Sequence, residues 1–158
     1  MGYTHYYEQK RNFTNKEWNR VLQAFNVILD HFKETNFKET KIVLQVDQAD
    51  ETCIIFNGIG HNAHETFVMN KDNVGFNFCK TARKDYDVVV CLLLLVAHCY
   101  VVKEGAKPVF SVGSDGEWEE EWAEARDLYH ELFKKSAFPF EESTEEKEKP
   151  LKKVKVKK

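Results

Sequence analysis

Three observations predict an α+β fold, with a mainly antiparallel sheet packed against three helices. Val88 to Val102 is apolar on every side apart from His98, so as a helix it fits only inside a core. Two more stretches, beginning at Phe13 and at Ser114, combine helix-start signals with apolar residues at helical spacing. Between these three lie short runs of β-branched and aromatic residues, punctuated by turn residues.

The chain opens on Gly2-Tyr3-Thr4-His5-Tyr6-Tyr7, which reads as a strand with two unlike faces. Thr4 and Tyr6 belong to one face, and Tyr3, His5 and Tyr7 to the other. Thr14 and Glu17 then form a capping box, with Phe13 and Trp18 at the staple positions. Trp18, Val21, Leu22, Phe25, Ile28, Leu29 and Phe32 give the first helix its apolar face, and it ends near His31 to Lys33. Lys41–Val46 and Thr52–Asn57 predict an antiparallel hairpin about the turn Asp47–Glu51. Thr66–Met69 and Gly75–Phe78 are two further strands.

The central helix is expected over about residues 86–103, with Asp85 and Asp87 as candidate caps and Gly105 as its C′ residue. Pro108–Gly113 is the last strand. Ser114-Asp115-Gly116-Glu117 repeats the capping-box pattern and predicts the start of the last helix. Trp118, Trp122, Ala125, Tyr129 and Leu132 line one face of that helix. Its first turn is crowded with glutamates, and Lys134 and Lys135 close it, as the helix dipole prefers.

A length of 158 residues suits one domain with a real core, taken here as residues 1–140. Residues 141–158 are dominated by Glu and Lys and read as a disordered charged tail. The formal net charge is −3, but the tail holds seven Lys against five Glu, which leaves −5 for the body. An acidic body argues against a general nucleic-acid surface; weak contact through the Lys-rich tail is the exception. Cys53, Cys79, Cys91 and Cys99 form no C-x-x-C pair and read as reduced core cysteines of a cytoplasmic protein. The apolar run is shorter than the roughly 20 residues a spanning helix needs, so no membrane partner is expected.

The best candidate site precedes the central helix. Lys80, Thr81, Arg83 and Lys84 put cations and a hydroxyl beside a helix start, a pattern suited to a phosphate or carboxylate. It has neither the spacing of a phosphate-binding glycine loop nor that of a dinucleotide fingerprint. Tyr3, Thr4, His5 and Tyr6 are the candidate partners across the ligand. His61, His64 and Glu65 follow the order H-x-x-H-E, which matches no zinc-protease helix, and a metal there needs a third ligand such as His5 or Asp115. No metal and no cofactor are therefore expected. Cys79 beside two cations reads as a packing residue rather than a nucleophile, and His98 as a buried neutral histidine. Ser111 and Ser114 lack nucleophile-elbow glycines.

Gly2-Tyr3-Thr4-His5-Tyr6, His64-Glu65-Thr66-Phe67 and Phe78-Cys79-Lys80-Thr81-Ala82-Arg83-Lys84-Asp85-Tyr86-Asp87 together resemble a family of small, largely uncharacterised phage and bacterial proteins. The likeness runs on through Ser114-Asp115-Gly116 and covers roughly residues 1–135. Asp85 stands where the family motif carries proline. The resemblance implies a setting more than a chemistry: a phage or phage-derived protein in the host cytoplasm.

Three functions follow as expectations. The first is binding of a phosphate-bearing small molecule, a nucleotide or nucleotide signal, with sequestration of a host signal as its use in a phage. The second is a hydrolase or phosphodiesterase, with His5 or His64 as acid or base and Glu65 or Asp87 orienting it. The third is a protein-interaction module with no small ligand.

Overall fold

The structure is a computed structural model that describes residues 2–34, 42–102, 108–137 and 139–140. It is a mixed α+β fold of three α-helices and two three-stranded antiparallel sheets. The first sheet has the order β5-β1-β6, with β1 (Thr4–Gln9) between β5 (Gly75–Lys80) and β6 (Phe110–Ser114). The second is the meander β2 (Gln45–Ala49), β3 (Cys53–Asn57), β4 (Phe67–Asn70). The antiparallel expectation holds, but the strands divide into two sheets rather than one. Among the described residues no helix is long and apolar enough to cross a membrane.

Helix α1 (Asn15–Glu34) starts as its capping box dictates. The Glu17 N–H donates to Thr14 Oγ1 at 3.0 Å, and the Thr14 N–H donates back to Glu17 Oε1 at 2.9 Å. Phe13 and Trp18 meet at 5.2 Å between ring centroids, closing the staple. Trp18, Val21, Phe25, Ile28 and Phe32 are buried, while Leu22 and Leu29 flank them half-buried. The Trp18 indole N–H donates to the Asp50 carbonyl, which ties α1 to the β2–β3 turn.

That turn lies later than the sequence suggests. Asp50 accepts from the Thr52 and Cys53 N–H groups and from the Thr52 hydroxyl, so it organises residues 50–53 and lets β2 run to Ala49. These bonds, the Thr52 N–H first, hold the Asp50 carboxyl at about 2. The apolar run Ile42 to Leu44 precedes the strand instead of forming it, and Lys41 lies outside the described residues.

Helix α2 (Asp87–Leu95) is the expected core helix: Val88 to Leu95 are all buried, and it packs against α1 and α3 (Ala123–Phe133). It is shorter than the predicted 86–103, because the last stretch, Val96–Tyr100, widens into a π-turn. Gly105 and the tail 141–158 lie outside the described residues. Neither Asp85 nor Asp87 caps α2; Tyr86 occupies the cap position without a side-chain capping bond, and Asp87 is drawn sideways into a buried network. The box at Ser114–Glu117 does not open α3 either. The helix begins at Ala123, since Ser114 is held by buried partners and the Glu117 N–H goes to Glu121 Oε1 at 2.7 Å. Lys134, in the left-handed conformation, ends α3.

Candidate functional site

The alternation of β1 delivers His5, Tyr7 and Gln9 inward and Tyr6 and Glu8 outward. His5 is fully buried, and both of its ring nitrogens are engaged. Nε2 lies 2.6 Å from Asp87 Oδ1 and Nδ1 lies 2.8 Å from Ser114 Oγ. Ser114 Oγ also accepts from the Gly116 N–H at 2.9 Å and from the Trp122 indole N–H at 3.0 Å. Those two obligate donors fill both lone pairs of the hydroxyl, so its single proton goes to His5 Nδ1. His5 Nε2 then carries the ring proton and donates it to Asp87. Tyr3 and Trp122 meet the His5 ring edge-on at 5.1 and 5.2 Å, which fixes its plane.

Asp87 gathers this network. Its Oδ1 also accepts from the Thr81 hydroxyl at 2.5 Å, and the Cys91 thiol donates to Oδ2 at 3.7 Å. Burial, then the Asp87 charge, pushes the Cys91 thiol well up. Burial first, then Asp87 and Cys91, likewise pushes the Tyr3 hydroxyl up. Asp87 itself keeps 21% of its side chain exposed. It opens onto a hollow of about 320 Å³ that Tyr3, Arg83 and Lys84 also line.

The turn between β5 and α2 presents Arg83 there. Ala82 and Arg83 both have positive φ, 53° and 58°, a conformation non-glycine residues rarely take twice in succession. The Tyr3 carbonyl holds the turn by accepting from the Thr81 and Ala82 N–H groups. The Arg83 guanidinium consequently lies over the Tyr3 ring, 4.1 Å from its centroid, and 3.6 Å from Glu121. Glu121 is held below the usual carboxylate range by backbone N–H bonds first and by Arg83 after them.

Sequence reasoning missed the opposite wall. Asp85, Glu120, Glu121 and Glu124 line the hollow beside Asp87, so five carboxylates face two cations. Glu120 and Glu121 read in the sequence as the first turn of a helix. They instead belong to the tight turns before α3, which carry them over the hollow. Of the buried network, the pairing of His5 with Asp87 was among the expectations, but Thr81, Cys91 and Ser114 were not read as its partners. The signal for the rest was the spacing of Asp87 and Cys91, which places an acceptor and a donor on one face of an otherwise apolar helix.

The predicted site residues thus divide. Tyr3, Arg83, Lys84 and Asp87 meet in the hollow, with His5 and Thr81 buried beneath Asp87. Thr4, Tyr6 and Lys80 do not line it. The Thr4 N–H donates to Asp115 Oδ2, the Tyr6 hydroxyl reaches Asp115 Oδ1, and Lys80 alternates outward from buried Cys79. Tyr6, Phe76 and Phe78 make an exposed aromatic strip on that outer face.

His64 is exposed, and its main chain pairs with Asn57. Glu65 is spent on structure: Oε1 accepts from the Lys80 N–H, and its carbonyl accepts from Tyr86 Oη at 2.5 Å. Cys79 is buried, and burial first, then Glu65, raises its thiol to about 12, the opposite of nucleophilic activation. All four cysteines are buried and none is in a disulfide. Comparison of the chain with known protein families, curated proteins and solved structures gave no match.

Proposed function

We propose that the protein binds a phosphate-bearing small molecule, a nucleotide or nucleotide signal, in the hollow between Tyr3, Arg83 and Asp87. The observation that carries this reading is the convergence of Tyr3, near the start of the chain, with Arg83 and Lys84, from its middle, on one concavity. Its volume, about 320 Å³, falls at the lower end of small-molecule sites, which run from about 300 to 1,000 Å³. Arg83 and Lys84 take the phosphate, the first as a planar fork and the second as a point charge.

Tyr3 offers no free face for stacking, because Arg83 already covers it and the ring is buried. The base stacks instead on the outer plane of Arg83, whose side chain is 61% exposed. The carboxylates decide the rest. Glu120, Glu124 and Asp87 are acceptors for the N–H donors of an amino-bearing base such as guanine, and their charge disfavours a polyphosphate. A nucleoside monophosphate or a cyclic nucleotide satisfies both walls. The resemblance to phage proteins supplies the setting, in which the chain sequesters a host signal.

A second reading, a hydrolase acting on the same ligand, is favoured by the Ser114–His5–Asp87 array. His5 reaches the hollow only through Asp87, so Asp87 becomes the acid or base and His5 its positioning residue. Incubation with a panel of nucleotides, followed by thermal-shift measurement and chromatography of the products, separates the two. A shift with ligand recovered intact supports binding, and new products support hydrolysis. Arg83→Ala is expected to abolish the shift. No shift with any nucleotide overturns both readings and leaves the aromatic strip, and with it protein interaction, as the function to pursue.

A further inference from the structure

Beneath the hollow, three side chains with different donor atoms point at one another. We infer that His5, Asp87 and Cys91 form a binding site for a single divalent transition metal of the zinc class. The inference is independent of the nucleotide reading, since the metal alone is the probe.

Geometry carries it. Asp87 and Cys91 are one turn apart on α2 and so share a face, while β1 brings His5 onto that face. His5 Nε2 lies 3.5 Å from Cys91 Sγ, and Asp87 Oδ2 lies 3.7 Å from the same sulfur. Donor atoms bound tetrahedrally to zinc, with bonds of about 2.0 to 2.3 Å, stand roughly 3.3 to 3.7 Å apart. Two edges of that tetrahedron are therefore already set, and the Nε2–H bond to Asp87 Oδ1, at 2.6 Å, holds the carboxylate beside the imidazole. Among the described residues these three are the group whose donor atoms all lie within 4.8 Å of one another. A nitrogen, oxygen and sulfur set of this kind suits zinc and the neighbouring borderline metals, not magnesium or calcium.

The surroundings match what a ligated imidazole and carboxylate require. The Thr81 hydroxyl holds Asp87 Oδ1, which leaves Oδ2 for the ion. Ser114 faces His5 Nδ1, the usual place for an outer partner of a metal-bound histidine. For Nε2 to ligate, the ring proton moves to Nδ1, the Ser114 hydroxyl turns its own proton to its other neighbour, the Tyr3 hydroxyl, and Ser114 Oγ accepts from Nδ1 in place of the part-buried Gly116 N–H, which turns to water. The ring stays neutral. Cys91 ligates as thiolate and its proton goes to solvent, so one proton is released per ion. His5 and Cys91 are buried, so the ion enters past Asp87, the member of the trio that lines the hollow. Three protein ligands leave a fourth position for water or a ligand atom.

The test uses the full chain, reduced and chelator-treated, titrated with Zn²⁺ by calorimetry and with Co²⁺ by absorption spectroscopy. The expected result is one ion per chain, with a near-ultraviolet thiolate-to-cobalt band and the intense visible bands of four-coordinate cobalt. Cys91→Ser is expected to remove the thiolate band and weaken zinc binding by more than about 100-fold, beyond the loss typical of an outer partner. Cys53→Ser, at a distant cysteine, is expected to change neither. Failure of the wild-type chain to bind either ion overturns the site, as does binding without the thiolate band, which marks adventitious capture by surface carboxylates. A thiolate band that survives in Cys91→Ser also overturns it. If Cys91→Ser does not fold, the wild-type spectrum and a weakened His5→Gln titration decide.

Discussion

Two histidines are buried against the same apolar helical stretch, one at each end, and they live in opposite surroundings. His5, at the α2 start, is bonded to Asp87 and Ser114 and ringed by Tyr3 and Trp122, with a hollow just above. His98, in the π-turn at the far end, reaches the Pro139 carbonyl at 3.2 Å and packs edge-on against Phe140. Both are almost wholly shielded from water, so burial does not distinguish them. What differs is the partner. A carboxylate that is itself part-exposed makes the first end a place where proton and ligand chemistry can be linked. A backbone carbonyl near the surface makes the second end a packing contact.

The largest effect that sharpens this contrast is expected at alkaline pH. Burial raises the hydroxyls of Tyr3, Tyr7, Tyr86 and Tyr129 and the thiol of Cys79. A group whose folded value is raised contributes stability that is intact below its unfolded value and is lost as the pH climbs through the folded one. For Cys79 that window runs from 9.0 to about 12. Urea midpoints measured from pH 8 upward should therefore fall steadily above about pH 9, with the unfolded state binding fewer protons. Tyr3→Phe should flatten part of that fall by removing the phenol nearest Asp87.

Next in size is Asp87→Ala, which leaves the His5 N–H and the Thr81 hydroxyl without their acceptor. It should cost about 3 kcal/mol in urea unfolding. His98→Leu should cost no more than about 1 kcal/mol, because the exposed Pro139 segment lets its carbonyl turn to water. Equal losses from the two substitutions would break the comparison. Gly116→Ala follows. Its new Cβ would lie 2.1 Å from the Tyr3 hydroxyl and 2.9 Å from Glu121 Cβ, so it should displace Tyr3 at a cost of about 2 kcal/mol. Tyrosine fluorescence and the thermal midpoint read that displacement. The smallest effect is Thr14→Ala, which removes a cap remote from both ends and should lower stability by about 1 kcal/mol. It should leave metal and nucleotide titrations unchanged.

Local features were legible where the deciding forces are local. The Thr14–Glu17 box, the burial of the all-apolar run and the strand alternation around His5 each depend on residues a few positions apart, and each came out as expected, although the run's helix is shorter. The similar box at Ser114–Glu117 did not. Ser114 there has more distant and stronger claims on it, from His5 and Trp122, and a hydroxyl cannot serve both them and a helix end. Asp87 failed as a cap for the same reason. In both places the polar residue predicted to cap the start of a helix was recruited to satisfy a buried partner from another element.

The amino-acid sequence by itself determined that one helix would be buried, that α1 would start at Thr14 and that the strands would pair antiparallel. Hydrophobic periodicity and short-range hydrogen bonds decide these, and both are written in neighbouring letters. Only the tertiary structure decided which cations meet the tyrosine. Lys80 is turned away by strand alternation, while two left-handed residues swing Arg83 over Tyr3. It alone brought Glu120, Glu121 and Glu124 opposite Arg83, and His5 onto Asp87 and Cys91. Charge and donor groups act through space over a few ångströms, and separations along the chain do not encode which of them will come that close.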